Sequence, residues 1–133
     1  MHSAFTVLAK QPGANDADLL DARRYFGVIP ADYQAVVVEA TELELGHGTN
    51  GYLRIWSPAG CADMDVGYNI REQISTAFPF GDDGGGRFLC YCEGPEGFGV
   101  YLGSYGDIDR SSLVWLADSL SSLLDKGAGL DRL

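Results

Sequence analysis

Arg87-Phe88-Leu89-Cys90-Tyr91-Cys92-Glu93 is the stretch that decides how this chain folds. In an extended backbone Phe88, Cys90 and Cys92 point one way and Leu89 and Tyr91 the other, so the segment reads as a strand with apolar side chains on both faces. Such a strand belongs in the interior of a sheet covered on both sides. The sequence on either side agrees. Gly81-Asp82-Asp83-Gly84-Gly85-Gly86 and Gly94-Pro95-Glu96-Gly97 are turn-like, and Phe78-Pro79-Phe80 and Gly99 to Leu102 read as neighbouring strands. Pro79 lacks an N–H and suits a sheet edge or a strand start.

Further upstream, Glu42-Leu43-Glu44-Leu45 and Tyr52-Leu53-Arg54-Ile55-Trp56 alternate with period two and predict a hairpin. Their connection, Gly46-His47-Gly48-Thr49-Asn50-Gly51, spells the G-x-G-x-x-G of dinucleotide sites. That fingerprint works only when a helix follows, because the pyrophosphate rests on the helix N-terminus. A strand follows here, so the glycines read as a loop and no cofactor is expected.

Helices are expected at both ends. Asn15 or Asp16 can cap a helix running to about Phe26, with Leu19, Ala22 and Phe26 on its apolar side and Gly27 as its stop. Pro30 can open a second helix over Ala31 to Ala40, although the β-branched Val36-Val37-Val38 weakens that reading. Pro58 to Gly67 is loop-like, and Tyr68 to Thr76 holds a short turn or helix. Ser112 to Lys126 carries Leu113, Leu116, Ala117, Leu120, Leu123 and Leu124 at helical spacing and predicts one helix ending at Gly127. Residues 1–15 read as an N-terminal arm and 128–133 as a short tail. No linker or repeat divides the 133 residues, which fit one domain.

Composition narrows the function classes. Hydrophobic residues at 46% and charged residues at 21% are globular values, and no apolar run approaches the roughly 18 residues of a membrane span. Met1 to Lys10 has its one basic side chain after the apolar stretch, unlike a secretory leader, so a cytoplasmic location is expected. Nine Lys and Arg against nineteen Asp and Glu leave a net charge of −10. Such a surface repels nucleic acid and anionic membranes and either serves solubility or attracts a basic partner.

The three cysteines, Cys61, Cys90 and Cys92, cannot all pair within one chain and read as buried small apolar residues. His2 and His47 stand at no metal spacing from them, so no metal site is expected. Asp63/Asp65, Asp82/Asp83 and Asp107/Asp109 could hold Ca²⁺ or act as acid and base. None has the calcium-loop spacing, and Asp in turns ordinarily bonds nearby amides. Gly103-Ser104-Tyr105-Gly106 is not a nucleophile elbow. No catalytic residue is assigned.

Several phrases together resemble the SUKH superfamily. They are Gly27-Val28-Ile29-Pro30-Ala31-Asp32-Tyr33, Leu53-Arg54-Ile55-Trp56-Ser57, Gly81 to Gly86 ahead of a strand, Gly99-Val100-Tyr101, and Leu116 to Leu124. The similarity spans about Asp18 to Leu124. Many members place Asn-Gly soon after the second helix, where this chain has Glu39-Ala40-Thr41-Glu42.

The resemblance implies an α+β domain with a twisted, mainly antiparallel sheet, N-terminal helices and a C-terminal helix packed against it. It also implies protein binding without catalysis. Many bacterial members are immunity proteins that neutralise a toxin by direct contact, and fungal relatives regulate through protein contacts. The expected partner is therefore a toxin domain with a basic surface. The expected contact face is Asp63, Asp65, Asp82, Asp83, Glu93 and Glu96, with Trp56 or Trp115 as an aromatic anchor. A regulatory scaffold is the alternative, and a small-ligand or enzymatic domain using the glycine loops is a third.

Overall fold

A computed structural model describes residues 1–133. In chain order it contains β1 (Phe5–Pro12), α1 (Asp16–Phe26), α2 (Ala31–Glu39), β2 (Ala40–His47), β3 (Gly51–Ile55), α3 (Pro58–Tyr68) and α4 (Ile70–Gln73). There follow β4 (Phe78–Asp82), β5 (Arg87–Gly94), β6 (Gly97–Ser104), β7 (Val114–Ala117) and α5 (Leu120–Lys126). The seven strands form one sheet in sequence order, each antiparallel to the next. The fold class is α+β, and no helix is long and apolar enough to cross a membrane.

Phe88 through Cys92 are all buried, and β5 lies between β4 and β6 as its two-sided pattern requires. On one face Tyr91 meets α2 and α5 through its hydroxyl. On the other, Tyr105 of the β6–β7 loop packs on Phe88 with ring centroids 5.4 Å apart. This loop face is built from rings lying on glycines. Gly103, the register partner of Phe88, sits beneath that ring; Gly99 lies under Trp115 and Gly94 under Tyr101. A side chain at any of the three would occupy the space the ring fills, so these glycines are places where another group approaches the backbone closely.

The caps set the first helices. Asn15 accepts from the Asp18 amide at 2.9 Å and Asp18 accepts from the Asn15 amide at 3.1 Å, a reciprocal capping box, and Gly27 ends α1 at φ +89°. Pro30 precedes α2, which buries Tyr33 and Val37 completely. Pro79 is not at a sheet edge, since β4 is the fourth strand of seven. It stands near the start of β4, where β3 pairs only with Gly81 and Asp82, so the absent N–H leaves no ladder bond unmade.

Three expectations are corrected. Residues 1–15 are not merely an arm, because Phe5–Pro12 pairs with β2 as the first edge strand. The region from Pro58 to Gly67 is helix, not loop. Ser57 caps it by accepting from the Gly60 amide, Pro58 occupies its first turn and Asn69 ends it in the left-handed region. Its buried stripe is Pro58, Cys61 and Asp65, and an aspartate on the inward face hides the apolar period.

The third correction is the largest. Ser112 to Lys126 is not one helix but a 3-10 turn at Arg110–Ser112, then β7, then α5. All six residues of the expected stripe are nevertheless buried. Extended backbone at Val114–Ala117 supplies partners for the β6 ladder over Val100 to Leu102, which would otherwise be buried with unpaired amides. Ser119 then caps α5 by accepting from the Ser122 amide at 3.0 Å. The tail, 128–133, is half-buried in part and ends in a 3-10 turn.

Glu42 has φ +45°, a left-handed backbone that side chains rarely adopt. It lies in β2 opposite an irregularity in β1. Its Oε2 is buried without a hydrogen-bond partner. Replacing Glu42 by Gly removes both burdens and should stabilise the fold by about 1 kcal/mol. An unchanged or lower denaturant midpoint would show that the Glu42 contact with Ser57 outweighs the strain.

The ring-on-glycine packing predicts a contrast between two glycines. Gly103→Ala drives a methyl into the Phe88 ring and should destabilise by about 1–3 kcal/mol. Gly85→Ala should change stability by less than about 0.5 kcal/mol, since Gly85 is not at positive φ and the nearest non-adjacent atom to an added Cβ is 3.6 Å away. Urea unfolding of both variants checks this; equal midpoints would refute the packing argument.

Candidate functional site

The start of α2 and the start of α5 meet over Tyr91. The Tyr91 hydroxyl donates to Asp32 Oδ2 and accepts from the Leu120 amide at 2.7 Å. Asp32 Oδ2 also accepts from the Ser121 amide at 3.0 Å, while its Oδ1 accepts from the Tyr33 amide. A carboxylate thus satisfies an orphan amide of the first turn of α5, where negative charge is favoured. Burial, followed by the bond to Asp32, pushes the Tyr91 phenol well above its ordinary range, so it remains a proton donor to the carboxylate.

Beside this node opens a cleft of about 590 Å³. Its apolar wall is Val28, Pro30, Ala31, Phe78 and Phe98, and its polar groups are Asp32, Thr76, Tyr91, Asp118 and Ser119. Tyr91 and Phe98 stack at 5.6 Å with their planes 20° apart. Tyr91 is buried, but Phe98 is 55% exposed and Val28 is 86% exposed. Glu93 is the register partner of Phe98, so its side chain leaves the sheet on the same face. No Lys or Arg lines the cleft. Asp118 is held ionised below the ordinary carboxylate range, chiefly by the Ser122 hydroxyl.

The expected acidic face is not assembled as one surface. Asp82 is buried and accepts from Trp56 Nε1 at 2.7 Å, Arg54 Nε at 3.2 Å and the Gly84 amide at 2.8 Å. Asp65 is buried and joins α1 to α4, accepting from the Tyr25 hydroxyl at 2.7 Å and the Arg71 amide at 2.8 Å. Both carboxylates are structural because each is buried and ties together donors from separate segments of the chain. Asp83 is partly buried and accepts from the Gly85 and Arg87 amides and from Arg87 Nε at 2.7 Å. Asp63, Glu93 and Glu96 are exposed. The Asp82–Asp83 turn and the Glu93–Glu96 turn lie at opposite ends of β5, whose eight residues span roughly 25 Å.

The aromatic anchors are likewise redistributed. Trp56 is 2% exposed, and its indole is committed to Asp82, so it cannot reach a partner. Trp115 is half-buried, edge-on to Tyr101 at 5.3 Å. The residues that sequence reasoning missed are Val28, Asp32, Tyr91, Phe98 and Asp118. One signal was available: Phe98, flanked by Gly97 and Gly99 at the mouth of a hairpin, is a large ring with little neighbouring side chain to cover it.

A second hollow of about 530 Å³ lies by the glycine loop, lined in part by Tyr52, Arg54, Asp82 and Asp83. Its donors and acceptors are largely engaged with one another: Tyr52 with Glu44, Arg54 with Asp82, and the Gly84 and Gly85 amides with the two aspartates. Gly84 and Gly86 take positive φ, so the triple glycine serves a tight reversal. All three cysteines are free and buried, matching their apolar reading.

Asp83 gives the loop an acid-sensitive contribution. Burial raises its pKa, but the Gly85 amide and then Arg87 outweigh that and hold it below the ordinary value of 3.8. A depressed folded-state pKa stabilises above the unfolded value and is lost as pH falls through the folded one. Asp83→Asn should therefore be less stable than the parent at neutral pH, with the gap closing below about pH 4. Urea midpoints measured across that range check this; a gap independent of pH would refute it.

No protein-family model matches the chain, and a search of curated proteins finds no match.

Proposed function

We propose that this chain is a non-enzymatic, cytoplasmic protein-binding module of the immunity type, which neutralises a toxin by direct contact through the Phe98 cleft. The carrying observation is an exposed ring and an exposed valine at the mouth of a mainly apolar cleft whose charged groups are all carboxylates. Apolar anchors in a concave site with a polar rim are what protein interfaces use for affinity. The similarity to SUKH immunity proteins and the net charge of −10 support the same reading, because opposite charge on a partner speeds encounter.

In operation the apolar wall supplies the slow-dissociating contact, while the surrounding carboxylates bring a basic partner to it and reject acidic ones. A toxin whose substrate is an anion, such as a nuclease, carries a basic site that this surface would cover.

The test compares the wild-type chain with Phe98→Asp and Val28→Asp. Wild type, immobilised in lysate of the source cells, should retain a protein that both variants lose. The retained protein, expressed alone, should be toxic to cells and be neutralised by wild type but not by Phe98→Asp. The purified pair should associate more slowly as salt is raised. Retention and protection unchanged by both substitutions would place the binding surface elsewhere.

A further inference from the structure

Resting on the reading of the cleft as a protein-docking site, we infer that its occupant is an arginine side chain of the partner next to an apolar residue, with the guanidinium on the Phe98–Tyr91 stack facing Asp118. Ligand shape and charge both point that way. The apolar wall of Val28, Pro30 and Phe98 needs a hydrophobic neighbour, and the polar groups offered are carboxylates, hydroxyls and a phenol, with no resident cation among them. A planar cation satisfies both demands at once, because a guanidinium stacks on an aromatic face and donates in its plane to a carboxylate.

The three nearby carboxylates have different roles. Asp32 has its Oδ2 occupied by Tyr91 and Ser121, so it contributes charge from the cleft wall. Asp118 is exposed and, held ionised by the Ser122 hydroxyl, is the carboxylate that a ligand can reach. Glu93 leaves the sheet on the face that carries Tyr91 and Phe98 and adds a third negative charge. No resident cation fills the cleft. Arg110 donates to the Glu93 and Gly94 carbonyls at 2.7 and 2.9 Å, and Lys126, in the last turn of α5, adds a favourable charge for Asp118 from outside the cleft lining.

The experiment titrates the full chain with acetyl-Phe-Arg-amide and with acetyl-Phe-citrulline-amide, its neutral isostere, and follows backbone amide resonances. The arginine peptide should perturb Thr76, Phe98, Asp118 and Ser119 and bind about tenfold more tightly than the citrulline peptide, a difference of about 1.4 kcal/mol. Asp118→Asn should bring the arginine peptide down to the citrulline level, and Phe98→Ala should weaken both. Equal affinity for the two peptides, perturbation centred elsewhere, or no perturbation at millimolar peptide would each overturn the arginine assignment. The docking reading fails separately, when Phe98→Asp and Val28→Asp both leave retention of the partner intact.

Discussion

The hydroxyl of Tyr91 holds together three parts of the chain that are far apart in sequence. It reaches Asp32 at the start of α2 and the Leu120 amide at the start of α5, and Asp32 extends the link to the Ser121 amide. Each group needs the others. A buried helix amide without an acceptor would cost about 1–3 kcal/mol, and the half-buried Asp32 draws its donors from all three elements, so they dock as a unit. Because the node fixes where α5 begins, it also fixes where β7 must end, and the Asp118–Ser119 turn falls between them at the edge of the cleft. The cleft is the space this arrangement leaves between the first turn of α2, the β5–β6 hairpin and that turn.

On the opposite face of β5 the constraint is steric. Phe88, Tyr101 and Trp115 lie against Gly103, Gly94 and Gly99, and Tyr105 of the β6–β7 loop packs over Phe88. Glycines on β5 and β6 let rings from neighbouring strands lie against the backbone, with Phe88 and Tyr101 fully buried. This packing also explains why three cysteines and several glycines suffice in a well-filled core: small groups beneath and beside large rings keep the total volume right. Phe98 is the exception. It belongs to the same hairpin but projects on the face of Tyr91, past the last residue that α2 or α5 can cover.

The sequence was readable wherever a local rule and the global fold agreed. The Asn15–Asp18 capping box, the strand–loop–strand over Glu42 to Trp56 and the two-faced Phe88–Cys92 segment each carried a pattern that only one element satisfies. It misled where one pattern served two elements. Leu113, Leu116, Ala117, Leu120, Leu123 and Leu124 have helical spacing, yet the first three enter the core from a turn and a strand. Only the unpaired β6 ladder, invisible in sequence, decides that. Asp65 concealed α3 because burial of a carboxylate depends on Tyr25 and the Arg71 amide, one of them 40 residues away. Asp82 and Trp56 were read as surface groups for the same reason, since each hides by bonding to the other across 26 residues. Of the candidate site, Glu93 was legible as an exposed carboxylate. Its neighbours Asp32, Tyr91 and Phe98 come together only through sheet register and helix docking.

The acidity of the chain therefore divides into two physical roles. Asp65, Asp82 and Asp83 are folded into the structure, each accepting two or three hydrogen bonds, and they present little free charge to a partner. Asp118 lines the cleft, whose lining has no basic residue, and Glu93 leaves the sheet on the face of Phe98 beside it. Charges farther off contribute a field that fades over about 8 Å at physiological salt, enough to guide approach but too diffuse to select a partner. On the proposed docking reading, selection comes from the short range, where an apolar wall, a ring pair and a carboxylate coincide. A neutral apolar segment would fill the wall but leave the exposed Asp118 without a counter-charge in the cleft. An acidic one would be repelled, and a cation with no apolar neighbour would forgo the contact with Phe98. Net charge alone does not point to the proposed site, because the residues that would discriminate there are two aromatics and an exposed carboxylate beside them.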